Sequence, residues 1–313
     1  MRVQAFVVVT VVLFGAASLQ AKWFGERDVR DDPESFLNEE EWQLYSGVGQ
    51  VECPVAKVKI DDVTGEELND RITGRPIFVE DSIASTAFHV GSFSLLVTNS
   101  HAFAEDYWDE YSRTVRQRLV DPKLCVVVFY EYPTGKELEI IPIKEALIRW
   151  EVSTSFGDRS DDIALIKLTS ESRFPSQFLP YRTGFGKGER AVNGQAINIV
   201  GFHGDLQKPK VKRKNSGFIW SARSGFNGEL FAAQSGLPFK RLDRVVVGNY
   251  PASYGTSGSP IITSYGVVIG IHQGHADRKY QSGFSDRQFS PQNNYNLGIL
   301  FDEQFDHDVQ RMK

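Results

Sequence analysis

From Gly47 onward the apolar residues of this chain come in short runs, and none is long. Phe93-Ser94-Leu95-Leu96-Val97-Thr98, Leu124 through Tyr130 and Glu139 through Ile143 lie in the first half. Ala196 through Gly201, Arg244 through Gly248 and Gly266 through Ile271 lie in the second. They are rich in β-branched residues and separated by Gly, Pro, Asp and Asn, which is the texture of strands between turns. Such strands imply an all-β sandwich or barrel, and closure into a barrel removes exposed sheet edges. A chain of 313 residues, 41% hydrophobic, can bury one large domain or two smaller ones sharing an interface. The stretch Phe174 to Gly188, with Pro175, Pro180, Gly184, Gly186 and Gly188, is the expected linker. It separates a first β half over 47–173 from a second over 189–301.

Helical signals are few. Asp32-Pro33-Glu34 reads as an N-cap, a proline at the first helical position and an early acid, and predicts a short surface helix to about Tyr45. Residues 105–119 predict a second surface helix, and 302–313 a C-terminal one.

The N-terminus predicts a secretory signal over 1–21. Arg2 supplies the positive end, Ala5 through Phe14 an apolar core, and Gly15 through Ala21 small residues for cleavage. The apolar stretch is short for a membrane span, which needs roughly 20 residues. Residues 22–46 read as a charged arm or propeptide, and 47–313 as the working domain. The expected location is extracellular or periplasmic, with no stable membrane span after cleavage. Export permits a disulfide between Cys53 and Cys125, the two cysteines of the chain, and two cysteines make no zinc pattern.

The formal net charge of -5 implies no general attraction to nucleic acid. The run Lys208-Pro209-Lys210-Val211-Lys212-Arg213-Lys214 is short and contains proline, so it reads as a solvated loop. There is no His-Glu-x-x-His spacing and no phosphate-cradling glycine loop, so no metal and no cofactor is expected.

Chemistry concentrates in Gly255-Thr256-Ser257-Gly258-Ser259-Pro260. A serine between glycines can sit on a tight turn, and glycine lets neighbouring N–H groups converge on one point. That provides a nucleophile and an oxyanion pocket together, the pocket donors being the N–H groups of Gly255 and Ser257. A serine hydroxyl is a poor nucleophile until a histidine takes its proton. A carboxylate then fixes the imidazole tautomer and stabilises the imidazolium. Upstream, Val97-Thr98-Asn99-Ser100-His101-Ala102 offers His101, and Asp161-Asp162-Ile163-Ala164-Leu165 offers Asp162, with Asp161 as a competing neighbour.

These three segments, in this order, resemble the motifs of trypsin-like (chymotrypsin-fold) serine proteases. Ser85-Thr86-Ala87-Phe88-His89-Val90-Gly91 resembles the strand that precedes the histidine in bacterial members. The resemblance implies two antiparallel six-stranded β-barrels with short surface helices, and a polypeptide-binding cleft between the barrels. It places the acid directly before Ile-Ala-Leu, hence at Asp162. Thr256 stands where animal digestive members carry an aspartate that pairs with a newly cut N-terminus, so that activation switch is absent. Ser-Gly-Ser-Pro followed by Val268-Ile269-Gly270-Ile271-His272 is similar to bacterial glutamyl endopeptidases, whose histidine there helps bind glutamate. Their partner hydroxyl falls on Ala252, which has none. Gln273, Gly274 and His275 would form the edge that pairs with extended substrate backbone. Pro251, where a basic-specific member has an aspartate, disfavours cleavage after Lys or Arg. The expectation is a secreted serine endopeptidase. A catalytically silent protein-binding fold and an esterase with the same triad are the alternatives.

Overall fold

The computed structural model describes residues 36–61, 64, 66–149, 161–174, 179–183, 195–203, 211–221, 244–248, 250, 252, 255–275 and 296–313. The expected signal segment, residues 22–35 of the arm and most of the expected linker lie outside the described residues.

The strands of the first half are β1 (Val48–Val58), β2 (Phe78–Ser92), β3 (Leu95–Thr98), β4 (Ala104–Asp109), β5 (Thr114–Leu119), β6 (Val126–Tyr130), β7 (Glu137–Ile148) and β8 (Ala164–Leu168). Those of the second half are β9 (Ala196–Phe202), β10 (Lys212–Ser221), β11 (Val245–Gly248), β12 (Pro260–Thr263), β13 (Val268–His275) and β14 (Asn296–Leu300). Two barrels close, in the orders β1-β2-β3-β8-β7-β6 and β10-β11-β14-β13-β12-β9, while β4 and β5 form a separate hairpin. All the barrel pairings are antiparallel, as the all-β two-barrel expectation required.

The continuous apolar runs have a physical reason. Side chains alternate across a strand, and here both faces are buried. In β6, Val127 and Phe129 point into the first barrel, while Val128 and Tyr130 join a second cluster between the barrels. In β9, Ile197 and Ile199 fill the second barrel, while Val200 and Phe202 face the same inter-barrel cluster. Strands buried on both sides read as unbroken Val/Ile/Leu stretches rather than alternations.

The disulfide forms between Cys53 and Cys125, with Cα atoms 4.4 Å apart. Register explains it: Glu52 pairs with Val126 in the antiparallel β1–β6 ladder, so the next residue of each chain direction meets its counterpart. Cys53 therefore sits inside β1, not at a strand end.

Among the described residues, two α-helices flank the barrels: α1 (Glu39–Leu44) and α2 (Glu303–Met312). Helix α1 starts later than its sequence signal, at an Asn38–Glu41 capping box rather than at Asp32. Helix α2 is capped by Asp302, which accepts from Phe305 N at 2.9 Å, and it buries Phe305 and Val309 in the inter-barrel cluster.

Two expectations fail. Residues 105–119 form the β4–β5 hairpin, not a helix. The winning local chemistry is the turn: Asp109 accepts from Tyr111 N at 2.9 Å and Ser112 Oγ at 2.8 Å. Such an Asx-type turn, followed by Thr114 and Val115, competes successfully with a helix. Glu105 then meets Arg118 across the strands at 2.7 Å.

The basic run is not wholly a solvated loop either. Lys212, Arg213 and Lys214 belong to β10, and Lys212 is buried. Its Nζ donates to the carbonyls of Tyr45 (2.8 Å), Ser46 (3.3 Å) and Val48 (2.7 Å). Arg213 lies 3.4 Å over the Phe36 ring, and Lys214 pairs with Glu41. Three consecutive cations thus strap residues 36–48 to the second barrel, with Leu37 and Tyr45 buried in the inter-barrel cluster. Charge runs normally mark solvent, so the sequence signal pointed away from this strap.

His89 in β2 is buried and stacked flat on Phe129, ring centroids 5.5 Å apart. Burial pushes its pKa down to about 4, with the Lys212 charge acting in the same direction. The unfolded value is near 6.5, so the unfolded chain binds the proton first. Stability from this site is complete above about pH 6.5 and is lost as pH falls toward 4. Denaturant titration at pH 7 and pH 4.5 should show a loss of about 2 kcal/mol attributable to His89. His89→Leu should lose less over the same interval, and equal losses in the two proteins would contradict the assignment.

Candidate active site

His101 enters the site from a 3-10 turn, Ser100–Phe103, directly after β3. The register Thr98↔Ala164 between β3 and β8 brings the segment before β8 alongside this turn. Four hydrogen bonds then join the two segments. Asn99 Nδ2 donates to Asp162 O (2.8 Å) and Ser100 Oγ to Ile163 O (2.8 Å). His101 N donates to Asp162 Oδ1 (2.9 Å), and His101 Nδ1 lies 2.7 Å from Asp162 Oδ2. Both carboxylate oxygens are therefore committed to His101. Asp162 is buried while the histidine side chain is 32% exposed, so the open side of the ring can meet other groups.

Asp161, its neighbour, points elsewhere. Its carboxylate pairs with Arg244 Nη1, which also lies 3.3 Å from Asp302. Adjacent acids are thus separated by role: one faces the imidazole, the other a buried guanidinium.

Ser257 lies on a turn whose two flanking glycines have positive φ, +90° at Gly255 and +83° at Gly258. At Gly258 the requirement is absolute, since a Cβ there would lie 2.0 Å from Thr86 O. The turn is anchored on both sides. Gly258 N donates to His272 O (2.8 Å) and His272 N to Ser259 O (2.8 Å), within the second barrel. Thr86 N donates to Ser257 O (2.7 Å) and Thr86 Oγ1 to Gly255 O (2.7 Å), from the first barrel. Among the described residues, the N–H groups of Gly255 and Ser257 meet no acceptor. Ser257 is half-buried rather than on an exposed turn, and its Oγ donates to Gln273 O at 3.4 Å. Its hydrogen bond runs to that carbonyl and not to His101.

The residues expected to meet substrate lie on or near β13. This strand pairs with β14 through His275, but with β12 only as far as Ile271. Residues 273–275 therefore present one edge with no partner strand among the described residues. A Cβ at Gly274 would meet nothing within 4 Å. The side chain of His275 and residues Pro251, Ser253 and Tyr254 lie outside the description. Ala252 is buried in the second-barrel core and offers no hydroxyl, as read from the sequence.

His272 is buried, and its Nδ1 lies 3.0 Å from Tyr250 OH. Tyr250 was not singled out by the sequence. It is buried edge-on to the imidazole, and the Asn296 side-chain amide donates to its carbonyl. A buried tyrosine hydroxyl needs a polar partner, but nothing local in the sequence says that the partner is His272. The contacts of Thr86 with the Ser257 turn are likewise invisible in the sequence, although Thr86 lies in the segment that resembles the strand before the histidine. No group of three or more His, Cys, Asp or Glu among the described residues is placed to hold a metal ion.

Residues 85–271 match the trypsin-like peptidase domain, and the chain belongs to that family. A solved Glu endopeptidase in complex with MPD has the same fold, with a TM-score of 0.51 at 12% identity, covering 88% of this chain and 94% of that one. The active form of the Rv3671c protease from M. tuberculosis scores 0.45 at 15% identity, covering 82% of this chain and 77% of the other. No curated protein matches the chain significantly. A peptidase of this family takes polypeptide as substrate. No helix among the described residues is long and apolar enough to cross a membrane.

The divergence of the two acids makes a direct test. Asp162→Asn should keep the fold and lower kcat by about 10⁴, through the wrong imidazole tautomer. Asp161→Asn should cost stability by weakening the Arg244 pair while leaving turnover within roughly tenfold, an effect remote from the ring. Turnover numbers that fall in the opposite order would reassign the acid.

Proposed function

We propose that the chain is a secreted serine endopeptidase using His101, Asp162 and Ser257. The carrying observation is the two-point grip of Asp162 on His101, at the backbone N–H and at Nδ1. That grip fixes the proton on Nδ1 and leaves Nε2 to accept from Ser257. Ser257 Oγ then attacks the scissile carbonyl, and the proton passes to His101. The oxyanion forms against the N–H groups of Gly255 and Ser257, and the leaving amine takes the proton from His101. Water repeats the sequence on the acyl-enzyme. The substrate backbone adds along residues 273–275 as an extra strand.

Export is supported by the Cys53–Cys125 bridge, since disulfides persist in oxidising compartments. Removal of residues 1–21 as a signal is supported by the positive Arg2, the apolar run Ala5 through Phe14 and the small residues from Gly15 to Ala21. A fluorophosphonate probe should label wild-type protein and not Ser257→Ala, and peptide hydrolysis should vanish with the label. Undiminished hydrolysis by Ser257→Ala would refute the nucleophile. An intact but unlabelled wild type would favour the silent binding fold. Ester hydrolysis without cleavage of a peptide library would favour the esterase.

Specificity follows from His272 and Ala252. A carboxylate in a partly dry pocket needs its hydrogen-bond sites filled. His272 supplies one, its Nδ1 side already engaged by Tyr250. The expected preference for an acidic residue on the acyl side is weak. It strengthens as pH falls, because only a protonated imidazole offers a full positive charge to the carboxylate. A substrate series varied only at that residue, assayed at pH 5.5 and pH 8, measures it. A strict, pH-independent glutamate requirement, or a preference for Lys or Arg, would overturn the pocket.

A further inference from the structure

The hydroxyl of Thr86 is the only side-chain group described as holding the Gly255 carbonyl, and it comes from the opposite barrel. Thr86 is fully buried in β2. A threonine hydroxyl has one donor and can accept as well. Here the donor goes to Gly255 O at 2.7 Å, and the oxygen accepts from Phe202 N, at the end of β9, at 3.2 Å. The Thr86 backbone is equally engaged: its N–H reaches Ser257 O, and its carbonyl accepts from Thr98 Oγ1 at 2.8 Å. Thr98 ends β3, the strand that leads into the His101 turn.

The consequence concerns Gly255. A glycine at φ +90° has several backbone states open to it. Its carbonyl belongs to the peptide linking Gly255 to Thr256, between the two pocket donors. Rotation there would change the angle at which the Gly255 and Ser257 N–H groups converge on the reacting oxygen. The main-chain bond from Thr86 N to Ser257 O survives any substitution at position 86. The bond to Gly255 O does not. We infer that the Thr86 side chain is a positioning residue for peptide hydrolysis: its hydroxyl fixes the peptide between Gly255 and Thr256, and so sets the relative direction of the Gly255 and Ser257 N–H groups on either side of it toward the developing oxyanion. This role rests on Ser257 being the nucleophile. The same hydroxyl ties the oxyanion turn to the strand pair that carries His101, so base and oxyanion donors are set by one buried group.

The test uses the full chain and three variants. Thr86→Val keeps the shape and removes the hydroxyl. Thr86→Ser keeps the hydroxyl, and Thr86→Ala stands in if the valine variant does not fold by circular dichroism. Loss of a whole oxyanion donor costs about 10²–10³ in kcat, so its misplacement should cost roughly 10- to 100-fold. The hydroxyl-less variant should show that loss in kcat with KM within about twofold, and Thr86→Ser should recover most of it. A peptide boronic acid, whose tetrahedral oxygen occupies the pocket, should lose affinity in parallel with kcat, while the cleaved product peptide binds as before. Unchanged kcat and boronate affinity in the hydroxyl-less variant overturns the role. So does equal loss of boronate and product binding, which marks general disorder. A wild type that fails to label at Ser257 overturns the nucleophile assignment itself and this role with it.

Discussion

The structure depends on the apolar cluster between the two barrels. It gathers Phe88, Leu95, Val97, Val128 and Tyr130 from the first barrel with Val200, Phe202, Ile262, Val268, Ile271 and Ile299 from the second. Burial at roughly 25 cal/mol per Å² makes such a patch the main force holding two closed sheets together. The same strands carry the chemistry at their ends. Leu95 and Val97 lead to His101, and Ile271 leads to the β13 edge beside Ser257. Sliding one barrel on the other would separate His101 from Ser257. The cluster is therefore what makes a two-barrel site possible, and the hydrogen bonds of Thr86 set its register.

The 36–48 segment and the C-terminal helix both reinforce this interface. Helix α2 contributes Phe305 and Val309, and Phe301, just before its cap, stacks on Phe305 at 3.8 Å. Charges fix its orientation. Arg149 reaches Asp302 at 3.2 Å and Asp308 at 2.7 Å, and Arg244 reaches Asp161 and Asp302. Burial alone would raise the Asp302 pKa. Arg244, Arg149 and the Phe305 N–H outweigh it and hold the carboxyl below its usual range. Buried ion pairs add little net stability, yet removing one partner costs about 3–5 kcal/mol. The network thus acts mainly as a constraint of direction. It turns Asp161 away from the imidazole and leaves Asp162 to face it.

The parts legible in the sequence were those where one short segment contains its own instructions. Gly255 through Pro260 spell a tight turn, and Val126 through Tyr130 a strand buried on both faces. Asp302 announces the cap of α2. Less legible were features completed by distant residues. Lys212 looks like part of a solvated run because its acceptors are backbone carbonyls at Tyr45, Ser46 and Val48, and carbonyls leave no mark in composition. Tyr250 and Thr86 were hidden for the same reason: their partners, His272 and Gly255, are found only once the sheets close. The 105–119 error was different in kind. Its apolar residues fit a helix, but the Asp109 side chain closes a turn in the middle of the segment.

The way the site is held explains why Thr256 can replace an acid there. A turn with two positive-φ glycines has little intrinsic rigidity, so its geometry must be imposed from outside. A buried charge would do so only with a partner of opposite sign delivered to it. Among the described residues, the contacts that hold Gly255, Ser257 and Gly258 are neutral. Thr86 supplies a side-chain donor and a backbone donor from one barrel, and His272 supplies the return bonds from the other. Neutral hydrogen bonds are individually worth about 1 kcal/mol net, but a buried acceptor left unpaired costs more than the bond is worth. Each alternative position of the turn would orphan Gly255 O or Ser257 O inside the protein. The turn is held in place less by the strength of its bonds than by the cost of breaking any of them where water cannot replace it.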